Sequence, residues 1–353
     1  MIKFILHTIS EFIKKGALKM TAKELAQKLN LSQAAVSMAL NNKPGVSTAT
    51  RKLVLETAHQ YGYDFTRISK NPQTAKSLYF VIYKKHGAIV MDTPFFSQLS
   101  EGIVQSCQEK DYKIKIVYVY EDEASLEKQI ESIQYSDCIG IILLGTEMAP
   151  EDLKPFIHLP APVILLDSYF ETSPLDCISI NNIQGAFLAT SYLIRKTKKQ
   201  PGYLKSSYPI HNFNERSDGF YKAVRANGMS ASKSFVHSLT PSIEGACADM
   251  LELLNEGEEP GPCYFADNDL IAAGALKAFR QKGFRIPQDI AIIGFDNLPI
   301  CSIVEPSLTT MDVPKKYMGR LAAQRLISRI KEPLMPPVKI EVNVSLVERN
   351  SCF

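Results

Sequence analysis

Apolar runs in this 353-residue chain end in polar residues of the kind that hold a ligand. Val163–Leu166 runs into Asp167, Cys263–Ala266 into Asp267-Asn268-Asp269, and Ile290–Ile293 into Gly294-Phe295-Asp296-Asn297. Carboxylates and an amide at strand ends can hydrogen-bond a polar ligand in a cleft, and each can equally cap the helix that follows. A second group sits near the N-terminus. Thr21 has Glu24 three residues on, which completes a capping box, and Ser32 precedes an apolar stripe; both patterns mark helix starts. Catalysis has no comparable signal. There is no G-x-G-x-x-G after a strand, no G-x-x-x-x-G-K-[ST] loop and no G-x-S-x-G elbow, and nothing pairs these aspartates with a nucleophile. No enzyme activity is expected.

The elements that must carry these residues change character along the chain. Ala22, Leu25, Ala26 and Leu29 share one helical face, and Val36, Ala39 and Leu40 form the stripe of a second helix after the short turn Asn30-Leu31. Two short helices joined by a tight turn predict a helix-turn-helix. A third helix, capped by Ser47 with Val54, Leu55 and Ala58 inside, ends near Tyr61-Gly62-Tyr63. Beyond Ser77 the pattern becomes short apolar runs separated by amphipathic helices: Leu78–Tyr83, Ile114–Val119, Ile139–Leu144, Val163–Asp167, Cys177–Ile180, Tyr203–Ser206, Cys263–Ala266 and Ile290–Gly294. That repetition implies parallel sheets covered on both faces, and so many strands imply two subdomains.

The net charge of +3 divides unevenly, with +3 on residues 1–19, +5 on residues 20–77 and −5 on the remainder. A small basic head therefore joins a mildly acidic body. The seven cysteines (Cys107, Cys138, Cys177, Cys247, Cys263, Cys301, Cys352) are dispersed without a C-x-x-C pair, and the six histidines lack metal-ligand spacing. They read as reduced thiols of a cytoplasmic protein with no metal. No apolar run approaches the roughly 18 residues of a membrane helix. Residues 1–19 do not make a signal peptide; Lys15-Gly16-Ala17 can be encoded as a ribosome-binding sequence just before the Met20 codon, which predicts a natural start at Met20 and a non-native extension over 1–19.

The string TAKELAQKLNLSQAAVSMALNNKPGVSTATRKLVLETAHQYGY resembles the head of the LacI (lactose/galactose repressor) family. The strings FADNDLIAAGALKAFRQKGFRIPQDIAIIGFDN, PSLTT and VSLVERNS extend the resemblance to about Ser351. It implies an all-α helix-turn-helix head over 20–63, a hinge over 64–77, and over 78–353 an α/β periplasmic-binding-protein-like core. That core has two Rossmann-like lobes, the first about 78–180 and 308–331, the second about 181–307 and 332–353. Three crossovers are implied near Ile180, Ser307–Thr310 and Glu332–Pro337. The function implied is that of a transcription regulator, a repressor, binding a palindromic double-stranded DNA operator as a homodimer, without a cofactor but under a small-molecule effector.

The resemblance assigns base reading to Gln33, Ala34 and Met38. Gln33 can pair bidentately with adenine and Ala34 can touch a thymine methyl, whereas Met38 departs from the usual Arg and cannot pair with guanine. Thr21, Ser32, Ser37, Asn41, Arg51 and Tyr63 match positions used for phosphates or the scaffold beneath them. Phe95 and Phe96 match an aromatic lip over the ligand, Arg216 a ligand-clamping Arg, and Asp167, Asn268 and Asp296 the partners of ligand hydroxyls. A second aromatic of purine-binding relatives belongs near Leu239-Thr240, where this chain has none, which favours a sugar. The linker departs as well, with Pro72 near the position of a minor-groove Leu and Ile68 as its substitute. Arg195-Lys196-Thr197-Lys198-Lys199-Gln200 replaces a common Gly-His turn and reads as a solvated loop or as a contact for a phosphocarrier-type co-regulator. A solute-binding protein feeding a transporter shares the body's architecture but needs a secretory signal and no DNA head.

Overall fold

The computed structural model describes residues 20–41, 45–63, 77–90, 93–121 and 123–353. The extension over 1–19 and the linker positions Ile68 and Pro72 lie outside the described residues. Contacts divide the chain into two compact units, residues 1–77 with 129–138, and residues 78–128 with 139–353.

The head consists of α1 (Ala22–Leu29), α2 (Gln33–Leu40) and α3 (Thr48–Gln60). Each starts where a side chain can meet the orphan amides of its first turn. Thr21 and Glu24 form the capping box, Ser32 Oγ accepts from Ala35 N at 3.0 Å, and Ser47 Oγ accepts from Thr50 N at 3.0 Å. Asn30 ends α1 in the left-handed region, which Asn tolerates, and so turns the chain into α2. Leu25, Ala26, Val36, Ala39, Leu40, Val54 and Ala58 are buried together, and Tyr63 packs against them.

In the body the elements run β1 (Ser77–Lys84), α4 (Pro94–Gln108), β2 (Lys113–Tyr120), α5 (Glu123–Gln134), β3 (Cys138–Leu144), β4 (Val163–Leu166) and β5 (Asp176–Ile180). They continue with α6 (Asn182–Thr197), β6 (Gly202–Ser206), α7 (His211–Ala226), β7 (Val236–Leu239), α8 (Ile243–Asn255), β8 (Cys263–Ala266) and α9 (Asp269–Gln281). Last come β9 (Ala291–Asp296), β10 (Thr309–Asp312), α10 (Lys315–Lys331), β11 (Lys339–Val342) and β12 (Ser345–Val347). One sheet has the order β11-β5-β4-β3-β1-β2 and the other β12-β10-β9-β8-β6-β7. The two six-stranded sheets are the cores of two lobes. β3-β4, β4-β5 and β5-β11 pair in parallel, as do β7-β6, β6-β8, β8-β9 and β9-β10, while β12 closes the second sheet antiparallel to β10.

The pairing moves two lobe boundaries. Residues 309–312, expected in the first lobe, hydrogen-bond along β9 from Thr309↔Ile293 to Asp312↔Asp296 in the second. Residues 339–342, expected in the second lobe, pair with β5 in the first. The chain therefore crosses after β5, between Asp312 and Lys315, and between Val342 and Ser345, not at Ser307–Thr310 or Glu332–Pro337. A lone four-residue strand carries no sign of which sheet it joins. Its partner is set by register, and a crossing can come only once its hydrogen bonds are complete. The expected hinge also ends one residue early, because Ser77 already opens β1.

In the first lobe α4 lies against α10. A Cβ at Gly102 would stand 2.0 Å from the carbonyl oxygen of Lys316, and one at Gly319 would stand 2.1 Å from that of Leu99. The two glycines thus let the helix backbones touch, and this contact holds α4, whose first turn carries Phe95 and Phe96. Gly102→Ala must push α4 away from α10. The expected cost is roughly 1–3 kcal/mol, read as a lower urea midpoint; an unchanged midpoint would remove the backbone contact as the constraint.

Candidate functional site

The six residues expected around an effector come together in one cleft between the two lobes. Phe95, Phe96, Asp167, Arg216, Asn268 and Asp296 all line it, joined by Thr146, Asn212 and Phe213, with Pro241 following the Leu239-Thr240 position. Fold geometry explains the convergence. Asp167 follows β4, Asn268 lies between β8 and α9, and Asp296 ends β9, so parallel strands of both lobes deliver their C-terminal residues to the same opening. Two of these positions are strained: Asp167 has φ 60° and Asp296 has φ 111°, the latter well outside the usual range of a residue with a side chain. Such backbone persists where the surroundings enforce it, most often at ligand sites.

Around Asp167 the bonds come from both lobes. Thr146 Oγ1 donates to Oδ2 at 2.6 Å from the first lobe, and Asn212 Nδ2 donates to Oδ1 at 3.1 Å from the second. Arg216 is 3 % exposed and anchors the second lobe's face. Its Nε donates to Asn182 Oδ1 at 2.9 Å, one terminal nitrogen donates to the Asp267 carbonyl, and the other pairs with Asp296 Oδ1 at 3.3 Å. The guanidinium also lies 3.8 Å from the Phe295 ring centroid. The rings of Phe95 and Phe96 meet edge to face at 5.0 Å. The cleft is partly open to solvent, with a cavity volume of about 40 Å³.

Helix capping accounts for part of the strand-end pattern. Asn268 Oδ1 accepts from Ile271 N at 2.9 Å, so this residue both caps α9 and lines the cleft. Asp267 faces inward to Ser206 N and the Tyr203 hydroxyl, and Asp269 braces Leu298 N and Thr310 Oγ1. Neither lines the cleft.

Glu147 escaped the sequence reading, although Gly145-Thr146-Glu147 follows the apolar run of β3 just as Asp167 follows β4. Its side chain has no exposure. Its Oε2 accepts from the backbone amides of Lys85, His86 and Gly87 at 2.9, 3.3 and 2.9 Å, and its Oε1 from Ile89 and Val90 at 2.8 Å each. Burial alone would raise this carboxyl, but the amides of Val90, Ile89 and Gly87 outweigh it and hold it below its ordinary range. The loop so gathered lends Ala88 and Ile89 to the cleft wall and sets His86 5.0 Å from Tyr208 of the second lobe. Asn212 was missed too, since a single amide in a helix's first turn carries no signal.

In the head, Gln33, Ala34 and Ser37 are exposed along α2, as base or phosphate contacts require. Met38 is half-buried, and its sulfur lies 2.9 Å from where a Cβ on Gly45 would be. Asn41 Nδ2 donates to Ser37 O at 2.8 Å and closes α2, while Arg51 lies on α3. The basic run, expected as a loop, begins inside α6: Arg195 and Lys196 sit over the Tyr192 ring in its last turn, and Lys198 is its left-handed C-cap. Cations there complement the helix dipole. Among the described residues no group of His, Cys, Asp and Glu is placed to hold a metal, and no helix is long and apolar enough to cross a membrane.

Comparison with known proteins covers both units. A family profile described as periplasmic binding protein-like domain matches residues 191–352. The chain is 26% identical over 310 residues to the NTD biosynthesis operon regulator NtdR of Bacillus subtilis, covering 88% of this chain and 92% of that protein. It is 29% identical over 306 residues to the HTH-type transcriptional regulator GalS of Salmonella typhimurium, covering 86% and 88%. Among solved structures it is similar to a complex of the transcriptional regulator CelR with cellobiose, at TM-score 0.70 and 22% identity over 94% of this chain and all 100% of that one. It is also similar to the lac repressor dimer bound to operator and an anti-inducer, at TM-score 0.68 and 20% identity over 94% and 99%.

Two measurements probe the cleft. Glu147→Gln keeps the side chain's shape but points an amide N–H at other N–H groups. The amides of Lys85, Gly87, Ile89 and Val90 should then exchange with solvent about tenfold faster or more, and unchanged exchange would show that the carboxylate does not hold the loop. Burial, opposed by the hydrogen bond from Thr146, raises the Asp167 carboxyl from 3.8 to about 7. The folded state thus keeps a proton that the unfolded chain releases, so the stability gained is complete below 3.8 and is lost as pH rises through about 7. The urea midpoint of Asp167→Asn should accordingly fall less than the wild type's across that window.

Proposed function

We propose that the chain is a LacI-family transcription regulator that acts as a repressor, binding a palindromic operator as a homodimer, released or recruited by a sugar held between the two lobes. It is a regulator, not an enzyme. The observation that carries the sugar is the cleft itself: carboxylates, amides and a guanidinium facing two phenylalanine rings, which is the chemistry that a hydroxylated ring with an apolar face requires. The cellobiose carried by the similar CelR structure and the operator carried by the lac repressor structure support the same reading.

On this reading Gln33 and Ala34 meet base edges, while Thr21, Ser32, Ser37, Asn41, Arg51 and Tyr63 place the head on the phosphates or support the residues that do. Half-buried Met38 offers a base only apolar contact. Ligand binding acts by population shift. The Asn212–Asp167 bond and the His86–Tyr208 contact join the lobes, and a ligand that takes their place changes the lobe angle and with it the spacing of paired heads.

Selection of binding sites from a random DNA pool tests both halves. Gln33→Ala should lose roughly 1–3 kcal/mol of discrimination at one base position in each half-site and so change the selected sequence. Asp296→Asn should select the wild-type sequence yet lose its ligand response. An unchanged sequence for the first variant removes Gln33 from base reading, and loss of DNA binding by the second makes Asp296 a folding residue.

A further inference from the structure

We infer that the head reads thymine through its 5-methyl group, with Ala34 and Met38 as the apolar surface and Gly45 as the seat that fixes Met38. The inference rests on the base-reading role proposed for α2 and concerns which chemical feature of a base that helix can recognise.

The reading helix carries no charged residue, with nothing acidic in its first turn and nothing basic in its last. Guanine is read in the major groove chiefly by the paired donors of Arg or Lys, and α2 supplies neither. Its other polar groups are partly engaged at home. Ser32 Oγ accepts from Ala35 N at 3.0 Å, and Ser37 accepts from the Asn41 amide through its carbonyl oxygen at 2.8 Å and its hydroxyl at 3.4 Å. Gln33 alone on α2 has the donor and acceptor of one planar amide, which match an adenine edge.

The rest of the reading face is apolar. Val36, Ala39 and Leu40 turn into the core of the head, whereas Ala34 is exposed and Met38 half-buried. Residues four apart lie on one side of a helix, about 6 Å from each other along its axis. That is nearly two base-pair steps of about 3.4 Å, so Ala34 and Met38 address different pairs. The tip of Met38 is held in place. A Cβ on Gly45 would stand 2.9 Å from the Met38 sulfur and 3.6 Å from its terminal methyl, with no other atom of the described residues near it. Gly45 has φ 114°, a conformation that residues with a side chain rarely adopt. It thus both turns the chain beyond α2 and leaves the space that Met38 fills. An apolar side chain fixed on the reading face has one match among the major-groove edges of the four bases, the thymine methyl, and a polarisable thioether suits that contact.

Replacing thymines one at a time by deoxyuridine, in the sequence that the full chain selects from random DNA, tests this by competition binding. At two thymines in each half-site, loss of the methyl should weaken binding about fourfold. In Met38→Ala one of these two effects should vanish, in Met38→Leu it should remain, and in Gly45→Ala, which displaces the sulfur, it should shrink. Full tolerance of deoxyuridine, with Gln33→Ala still changing the selected sequence, overturns the inference and leaves the base-reading role of α2 standing. Both effects persisting undiminished in Met38→Ala overturns it as well. If the wild type selects no sequence at all, the base-reading role falls and the inference with it.

Discussion

A buried charge is tolerable only when its hydrogen-bonding groups are met, and the cleft face of the second lobe is arranged around that demand at Arg216. The side chain lies on α7, yet its three bonds reach the start of α6, the end of β8 and the end of β9. Three segments distant in sequence are thereby fixed to one planar group, whose fork of donors suits several acceptors at once in a way a lysine would not. Asp296 can hold its strained backbone, and Asn268 its place at the rim, because the strands beneath them are tied together at this point.

The first lobe solves the same problem with the opposite sign. Glu147 is a buried carboxylate met by five backbone amides of a single loop, with His86 Nδ1 3.6 Å from its Oε1. Its effect is structural in one direction and functional in the other. The loop after β1 would otherwise present amides with no strand to pair with, and once gathered it becomes a wall of the cleft that faces the second lobe through His86. The two lobes thus approach each other as surfaces made rigid independently, one around a cation and one around an anion.

The parts of the molecule that were legible in the sequence are those governed by local rules. Helical spacing and capping residues located α1, α2 and α3 and their buried stripe, because a helix is stabilised by neighbours three and four positions away. Strand ends were legible for a similar reason: an apolar run that stops at a polar residue marks the edge of a sheet, and Asp167, Asn268 and Asp296 all proved to face the cleft. The residues that were not legible act across long separations. Asn212 meets Asp167 from the other lobe, Glu147 bonds a loop about sixty residues earlier, and β10 and β11 take their sheet from register alone. Asp267 and Asp269 show the converse, with the same residue type beside the cleft turned inward to brace β6 and β10.

This division bears on how a small ligand could move so large a structure. Three chain crossings and a few side-chain contacts join the lobes, while each lobe has its own six-stranded sheet. Parting the lobes need not break sheet hydrogen bonds; it would separate Asn212 from Asp167, His86 from Tyr208, Tyr169 and Phe170 from His211, and the Lys315 ammonium from the Asp296 carbonyl. A hydrogen bond of the Asn212–Asp167 kind is worth about 1 kcal/mol net. Each wall of the cleft is braced within its own lobe, around Arg216 in one and Glu147 in the other, and the walls meet through side-chain contacts.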